Sequence, residues 1–366
     1  MSADFTPSEQ RQISSTCSSA STEMRRLRVH LMPEVSSDGT EWSCAAIRLL
    51  LPYRHKWMRQ RIELSVSSRP PSESVDLIVL QRGGPPGFTL YDAAELLRSA
   101  RRRGIRVIYD LDDDLLSEHP VGEVEAGLAP HRTRIRLLLS GADAVIVSTS
   151  SLRERVKSSS DRVWVWQNAI DDHLVVDLES SDAHHDAITV GYFGSYTHLP
   201  DLLWIRESFE EGLTGIRVPV TFEFCGISMH PAINTLFRGA DIRIKRPEGD
   251  YASFMLGMQQ GLGWDIGLAP LAPGTFNRSK SDIKFLDYAL FGVPAIVSDC
   301  ESYGTASDGI TAKKAGRHDW GSALQQLAED PGLRERIRQN ARAYLLEERV
   351  LSRRLPDLWD IIQQEI

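Results

Sequence analysis

The chain has 366 residues, of which 42% are hydrophobic and 25% are charged, as is ordinary for a globular protein. This length is too great for one typical core and favours two domains. A formal net charge of −8 argues against general nucleic-acid binding, and four scattered cysteines without metal or redox spacing favour a reducing compartment.

The first 24 residues are rich in serine and threonine and lack the apolar segment of a secretory signal. We therefore expect a disordered tail over residues 1–24. Elsewhere no apolar run approaches the roughly 20 residues that a membrane span needs. Together these features predict a cytoplasmic protein.

Residues 25–176 alternate short apolar runs with helical patterns. The apolar runs predict five strands, at 27–33, 75–83, 105–113, 143–149 and 163–169. One helical pattern lies at 89–103, with Thr89 as its N-cap and Gly104 as its stop. Such alternation favours a parallel sheet with helices on both faces.

A polar stretch over residues 177–187 interrupts this rhythm and predicts a linker. After it the alternation restarts, with predicted strands at 188–195, 220–227, 240–247, 265–271 and 294–299. Two further helical stretches follow, at 331–346 and 350–364. The sequence therefore predicts an α/β protein with two successive doubly wound units.

The most informative segment is 277–299, NRSKSDIKFLDYALFGVPAIVSD. Either serine of NRSKS can cap a helix that ends at Gly292. At about 100° per residue, Lys280, Lys284 and Asp287 share one stripe of that helix. Two lysines near a helix N-terminus, where the macrodipole adds roughly half a positive charge, suit a diphosphate. A carboxylate one turn deeper suits ribose hydroxyls, so the segment predicts a nucleotide site.

The end of this segment resembles the donor-binding motif of the family 4 (group 1) glycosyltransferases. That motif closes with Gly-x-Pro, two hydrophobic residues, Ala or Ser, Ser or Thr, and Asp, which residues 292–299 fit closely. Asp287 stands where the family has its second glutamate, and Ser279 stands where the first would be. The NRSKS run resembles a subgroup found in bacterial surface-polysaccharide clusters.

The resemblance implies the GT-B fold, in which two Rossmann-like domains face a central cleft. Residues 25–176 would form the acceptor domain and residues 188–349 the nucleotide-sugar donor domain. Residues 177–187 would link them, and residues 350–366 would form a helix that crosses back to the first domain.

The resemblance also implies the activity. A hexosyl or deoxyhexosyl transferase of this kind moves a sugar from a nucleotide diphosphate sugar to a glycan or lipid-linked acceptor, for instance in O-antigen assembly. The family usually retains the anomeric configuration and needs no metal. We therefore expect no cofactor besides the donor substrate, with lysines taking the place of a cation.

Other donor contacts are implied in the second unit. Gly194 and Ser195 follow its first strand and resemble the family's first donor loop, where backbone N–H groups approach the diphosphate. His198, in the same loop, is placed to contact sugar or phosphate. Arg246 and Tyr251 fall where the family often contacts the nucleobase. The alternatives are an ordinary strand–helix turn, a helix-capping histidine and a plain surface loop.

The acidic run at 108–116 follows a predicted strand of the first unit. In family 4 a His-Asp pair ends the corresponding strand, and this chain has Asp112 and Asp113 there. At the carboxyl edge of a parallel sheet such a pair can orient sugar hydroxyls or take the acceptor proton. A cation site like the Asp-x-Asp pattern of GT-A glycosyltransferases and a helix N-cap are the alternatives.

Residues 47–63 carry six basic side chains interleaved with Tyr53 and Trp57. The basic residues are Arg48, Arg54, His55, Lys56, Arg59 and Arg61. This composition suits docking to a lipid-linked diphosphate acceptor or peripheral contact with a membrane surface. A solvated helix face is the alternative.

Two other functions fit the same motifs. A nucleotide-sugar epimerase shares the two-domain fold and would turn over its donor without an acceptor. A non-catalytic subunit of a polysaccharide synthase would bind the nucleotide sugar without transferring it. The absence of the family's first glutamate and of its histidine keeps this last alternative open.

Overall fold

The computed structural model describes residues 25–177, 187–226, 236–237, 241–245, 249–261 and 263–366. The predicted tail, most of the predicted linker and Arg246 lie outside these residues. The described strands form two six-stranded sheets, in which neighbouring strands pair in parallel. The predicted α/β class is therefore confirmed.

The first sheet spans the N-terminal half of the chain. Its strands are β1 (Leu27–Met32), β2 (Ile62–Val66), β3 (Leu77–Gln81), β4 (Arg106–Leu111), β5 (Ala144–Val147) and β6 (Val163–Val165). They lie in the order β2-β1-β3-β4-β5-β6. The inner strands β3 and β5 are buried along their whole length, which explains their nearly continuous apolar sequences LIVLQ and AVIV.

Helices connect these strands. They are α1 (Ser43–Ala45), α2 (Leu51–Arg54), α3 (Lys56–Arg59), α4 (Leu90–Arg103), α5 (Gly122–Leu128), α6 (Arg132–Gly141) and α7 (Ser150–Val156). The predicted ends of α4 are confirmed: Thr89 and Asp92 form a capping box, and Gly104 closes the helix in the left-handed region, with φ of 66°.

The second sheet spans the C-terminal half. Its strands are β7 (Ile188–Phe193), β8 (Val220–Cys225), β9 (Asp241–Lys245), β10 (Ile266–Ala269), β11 (Ala295–Ser298) and β12 (Lys313–Ala315). They lie in the order β9-β8-β7-β10-β11-β12, so the direction of winding reverses between β7 and β10. Open parallel sheets bind ligands at the carboxyl ends of the strands beside such a reversal.

The helices of this half include those that carry the predicted donor site. They are α8 (Leu199–Leu213), α9 (Tyr251–Gly261), α10 (Thr275–Arg278), α11 (Ile283–Phe291), α12 (Trp320–Glu329), α13 (Pro331–Glu348) and α14 (Leu351–Glu365). In the described parts of the chain, no helix has both the length and the apolar character that crossing a membrane requires.

The last helix, α14, packs against the first sheet. Leu355, Leu358 and Ile362 share one buried cluster with Val29 of β1 and Val79 of β3. Hydrogen bonds reinforce this contact, since the indole N–H of Trp164 donates to Glu365 Oε1 over 2.8 Å. The chain therefore passes from the second sheet back onto the first before it ends.

Two edge strands, β2 and β12, were not predicted. The basic segment over 47–63 forms short helices that are interrupted at His55 and end at Arg59, and β2 follows. The strand β12 has the sequence Lys-Lys-Ala, which has no β-propensity to reveal it. Edge strands are buried on fewer sides than inner strands, so their sequences are less apolar and harder to recognise.

Candidate active site between the two sheets

The carboxyl ends of the two sheets lie against each other. The Thr149 hydroxyl, after β5, donates to the carbonyl oxygen of Ser279 over 2.9 Å. The Lys280 ammonium lies 3.4 Å from Asp113 Oδ1, a carboxylate that follows β4. The cleft between the sheets therefore brings the predicted acidic pair of the first half to the predicted lysines of the second.

Helix α11 begins later than the sequence predicts. Its N-cap is Asp282, and neither serine of NRSKS caps it. The one-turn helix α10 uses the preceding residues and ends at Arg278, with Ser279 as its C-cap, so the chain turns before α11 can start. The predicted single stripe is therefore wrong for Lys280, which lies in this turn, while Lys284 and Asp287 do lie on the helix.

Lys284 is held by oxygen atoms that carry no formal charge. Its ammonium donates to the carbonyl oxygen of Phe193 over 2.6 Å and to the Tyr192 hydroxyl over 3.2 Å. Among the described residues, no carboxylate lies within ion-pair distance of Lys284. The pKa of this lysine is lowered to about 7, mainly by burial and to a smaller extent by Lys280, while Asp201 and Asp287 oppose the shift.

Gly194 leaves the space beside this ammonium open. A Cβ atom at this position would lie 3.0 Å from Lys284 Nζ and 2.9 Å from the Tyr192 hydroxyl. The backbone N–H of Gly194 donates to the carbonyl oxygen of Cys225 over 3.0 Å and is therefore already paired. Gly194 therefore contributes room for a ligand, and the exposed Ser195 follows it.

His198 lies beside Lys284 in a hydrogen-bonded network. Its Nδ1 lies 2.8 Å from Asp201 Oδ2, and Asp201 Oδ1 accepts from the Asn277 amide over 2.7 Å. Burial lowers the pKa of His198 to about 4, despite the hydrogen bond that the ring makes to Asp201. The neutral ring donates from Nδ1 to the carboxylate, which leaves Nε2 as an acceptor. Asn277 had not been identified from sequence as part of this network.

Asp287 and Tyr251 meet in the same half of the cleft. The Tyr251 hydroxyl donates to Asp287 Oδ1 over 3.3 Å. Asp287 is almost fully buried, and burial raises its pKa to about 7, with Lys284 as the main opposing influence. The structure thus brings these two predicted donor contacts together, whereas Arg246 lies outside the described residues.

On the opposite side, Arg82 organises the acidic pair. Its guanidinium makes a two-pronged contact with Asp112 and donates to Asp113 Oδ2 over 2.9 Å and to Glu34 Oε2 over 3.5 Å. Arg82 has a φ of 46°, and the Tyr109 hydroxyl donates to its carbonyl oxygen over 2.8 Å. Sequence reasoning missed Arg82, although the glycines of QRGGP after a buried strand were a signal.

The acidic run is neutralised by arginine. Each of its four carboxylates lies in an ion pair: Asp110 with Arg48, Asp112 and Asp113 with Arg82, and Asp114 with Arg155. The Asp114 carboxylate also accepts from Ser117 and so closes a tight turn. These pairings do not fit a cation site of the Asp-x-Asp kind. Among the residues that the structure describes, Asp113 is the one of the four whose side chain pairs with the second half.

Part of the predicted basic surface over residues 47–63 is buried. Arg48 and Tyr53 are buried, and Arg48 donates to the side chain of Asn168 over 3.0 Å. The Asn168 amide in turn donates to Ser281 over 2.8 Å, so this arginine supports the cleft from within. Arg54, Lys56 and Arg59 remain exposed.

Two histidines meet where the chain passes between the halves. One ligand atom from each of His55, Asp171 and His173 lies within 4.8 Å of the others. Two of these groups contact each other directly, because His173 Nδ1 lies 2.8 Å from Asp171 Oδ1. His55 Nδ1 accepts from the Trp57 N–H, so in the neutral ring the proton is on Nε2, facing Asp172. One ring nitrogen of each histidine is thus already engaged in a hydrogen bond.

Comparison with known proteins identifies the fold. No protein-family model and no curated protein sequence matches the chain. HepE of Anabaena, solved with UDP and glucose, is 14% identical, with a TM-score of 0.63 over 93% of this chain and 100% of that one. A glycosyltransferase from Rickettsia africae is 11% identical, with a TM-score of 0.56 over 93% of this chain and 99% of that one.

TarM of S. aureus, solved with UDP among its ligands, is 12% identical, with a TM-score of 0.56 over 78% of this chain and 55% of that one. At such identities the likeness concerns the fold. Two parallel Rossmann-like sheets that face each other across a cleft are the GT-B architecture, and the predicted fold class is confirmed.

Proposed function

We propose that this chain is a glycosyltransferase that moves a sugar from a nucleotide diphosphate sugar to a glycan or lipid-linked acceptor. The observation that carries the proposal is Lys284, a cation near the winding reversal of the second sheet with open space beside it at Gly194. A cation taken from water without a counter-ion is stabilised when an anion binds. HepE, which has the same fold, was solved with UDP-glucose.

The donor would lie along the edge of the second sheet. Lys280 and Lys284 would bind its diphosphate, which passes close to Gly194. Asp287, supported by the Tyr251 hydroxyl, would accept hydrogen bonds from the ribose. In this arrangement the lysines would contact the phosphates, Asp287 would contact the ribose, and the Tyr251 ring would contact the face of the base.

Three further residues complete the proposed donor site. Ser195 would contact a phosphate oxygen from the loop after β7. His198 would accept a sugar hydroxyl through Nε2, because its Nδ1 is turned to Asp201. Arg246 would contact the nucleobase. Each of these roles extends the family resemblance residue by residue.

Catalysis would depend on charge that develops on the leaving diphosphate. Lys280 and Lys284 would stabilise this charge in place of a metal ion. Asp113, and Asp112 through Arg82, would hold sugar and acceptor hydroxyls from the opposite side of the cleft. Closure of the two halves over the donor would exclude water and suppress hydrolysis. Retention of configuration is the outcome usual in family 4, to which we assign the chain.

The proposed setting is the assembly of bacterial surface polysaccharide on the cytoplasmic side of the membrane, with a hexose or deoxyhexose as the transferred sugar. The exposed cations Arg54, Lys56 and Arg59 would give peripheral contact with an anionic membrane or a lipid-linked acceptor. The boundaries proposed for the acceptor domain, linker, donor domain and returning helix are those given by the sequence.

The test is a transfer assay in the presence of EDTA. Sugar-labelled UDP, GDP, dTDP and ADP donors are supplied with and without a lipid-linked oligosaccharide acceptor, and the products are separated by mass. The proposal expects label to move to the acceptor from donors of one nucleotide, and NMR of the product to show the donor's anomeric configuration. A Lys284→Ala variant should lose the transfer, and a Lys157→Ala variant, altered at an exposed lysine, should keep it.

The same assay separates the alternative functions. Conversion of the donor to an isomeric nucleotide sugar without acceptor would show that the protein is an epimerase and would contradict the proposed transferase. Donor binding without transfer to any acceptor would favour a non-catalytic subunit. Transfer that requires Mn²⁺ or Mg²⁺ would contradict the proposed role of the lysines.

A further inference from the structure

We infer that Asp113 is a positioning residue that sets the affinity for a nucleotide diphosphate by competing with it for Lys280. The inference rests on the proposed donor site. It concerns the contact across the cleft, where the two halves place opposite charges against each other.

Lys280 contacts a carboxylate of the opposite half. Its ammonium lies 3.4 Å from Asp113 Oδ1 and 4.7 Å from the centre of the Phe276 ring, and its side chain is 17% exposed. The ring of His119 also makes an edge contact with Phe276, with centroids 4.6 Å apart. The lysine is therefore fixed in a mostly buried position, with a carboxylate where a phosphate oxygen would bind.

In the ion pairs at this contact, the positive charges do not outnumber the carboxylates. The cations Arg82 and Lys280 face the carboxylates of Asp112, Asp113 and Glu34. An anion that binds Lys280 must approach Asp113, and like charges a few ångströms apart repel strongly in a partly buried site. Lys280 can bind a diphosphate well only when it leaves Asp113.

When Lys280 moves from Asp113 to the diphosphate, Asp113 becomes free to bind the donor sugar. Its other oxygen stays bound to Arg82 over 2.9 Å, so the carboxylate remains in the cleft after Lys280 has left. The released oxygen can then accept a hydrogen bond from a hydroxyl of the donor sugar. Once the sugar has been transferred, that hydroxyl is gone and the diphosphate carries one more negative charge. Asp113 then competes for Lys280 again, which favours release of the product.

The experiment is a calorimetric titration with UDP, GDP, dTDP and ADP in EDTA, first for the wild type and then for variants with the nucleotide that binds. Asp113→Asn keeps the shape and the hydrogen bond to Arg82 but removes the charge. It should bind the nucleotide about tenfold more tightly than the wild type does. A loss of structure would only weaken binding, so tighter binding is not explained by a structural role.

Matched variants locate the effect. Asp112→Asn removes the neighbouring charge, which also pairs with Arg82 but does not contact Lys280, and should change the affinity less than threefold. In a Lys280→Ala background, Asp113→Asn should have no further effect. Asp113→Ser serves as a second neutral variant, and thermal unfolding of each variant confirms that it is folded.

Three results would overturn the inference. The first is a folded Asp113→Asn or Asp113→Ser variant that binds no more tightly than the wild type. The second is an equal gain from Asp112→Asn, and the third is a gain that persists without Lys280. A wild type that binds none of the four nucleotides would instead refute the donor site itself, and the inference with it.

Discussion

The buried cations on the two sides of the cleft have different partners. On the N-terminal side, Arg48 lies fully buried with its guanidinium 2.7 Å from Asp110 Oδ2, and Arg82 is surrounded by carboxylates. On the C-terminal side, Lys284 contacts a carbonyl and a hydroxyl. The first side thus satisfies its charges within the protein, whereas the second leaves a cation for which the described chain supplies no ion-pair partner.

This difference separates residues that hold the fold from residues that await a ligand. A buried ion pair is costly to break because the remaining charge is uncompensated, so the arginines are expected to be structural. An unpaired cation weakens the fold, so its removal is expected to stabilise the protein while abolishing a function. The comparison can therefore be tested by the sign of the change in stability.

The largest effect is expected at Arg48. An Arg48→Met variant would leave Asp110 buried and charged, and should lower the free energy of unfolding by about 3–5 kcal/mol. Urea unfolding measures this loss. The double variant Arg48→Met/Asp110→Leu should recover most of it, because both charges are then removed. A loss below about 1 kcal/mol in the single variant would show that this pair is not what stabilises the N-terminal side.

A smaller effect is expected from pH on donor affinity. The pKa of Lys284 is lowered to about 7 and the pKa of Asp287 is raised to about 7, both by burial. As pH rises through this range, Lys284 loses its positive charge and Asp287 gains a negative one, in a pocket that Asp201 and Lys280 also face. Both changes oppose an anion, so the affinity should fall about tenfold between about pH 6 and 8.

The measurement uses a nucleotide sugar that the wild type binds, because both of its phosphates are esterified and keep their charge over this range. Titration in buffers of different ionisation enthalpy should show proton uptake on binding at about pH 8. A Lys284→Met variant should have a flatter profile. An affinity that rises with pH would contradict the assignment of these two groups to the diphosphate and ribose.

The smallest effect is a gain in stability. The pKa of Lys284 in the folded protein is about 7 and lies below its ordinary value of 10.5, so the unfolded chain binds more protons between these values. The cost of the buried charge is complete below about pH 7 and fades as pH rises to 10.5. Lys284→Met should therefore stabilise the protein at about pH 6 by about 1 kcal/mol. This figure is smaller than the pKa shift alone would give, because solvent screens the charge of a partly exposed side chain.

This gain should shrink as the pH approaches 10.5, and chemical unfolding at two pH values is the test. Lys157→Met, at an exposed position, is the control and should change little at either pH. A variant at Lys284 that is destabilised at both values would show that this lysine holds the fold, as the arginines do.

Short sequence patterns were enough to predict the fold class and several residues on the C-terminal side of the cleft. Apolar runs such as LIVLQ marked buried strands because inner parallel strands are covered on both faces. The stop at Gly292 and the positions of Lys284 and Asp287 on α11 followed from short-range rules, and Gly292 does end that helix. The functional roles of these residues stay predictions.

What local sequence could not supply are the pairings between distant residues. Arg48 meets Asp110 across 62 positions, and Arg349 meets Asp282 across 67. The second pair occupies the carboxylate of Asp282, the residue that precedes α11. No periodicity or spacing encodes such a pair, and the same holds for Arg82 with Asp112.

The proposed nucleotide diphosphate site uses Lys284 in place of a metal ion. It is tested by calorimetric titration of the wild type and of Lys284→Met with UDP, GDP, dTDP and ADP, all in EDTA. We expect the wild type to bind one of these nucleotides without metal, and the variant to bind it about 100-fold more weakly while remaining folded. Binding that appears only after Mn²⁺ or Mg²⁺ is added, or equal binding by the variant, would contradict the claim.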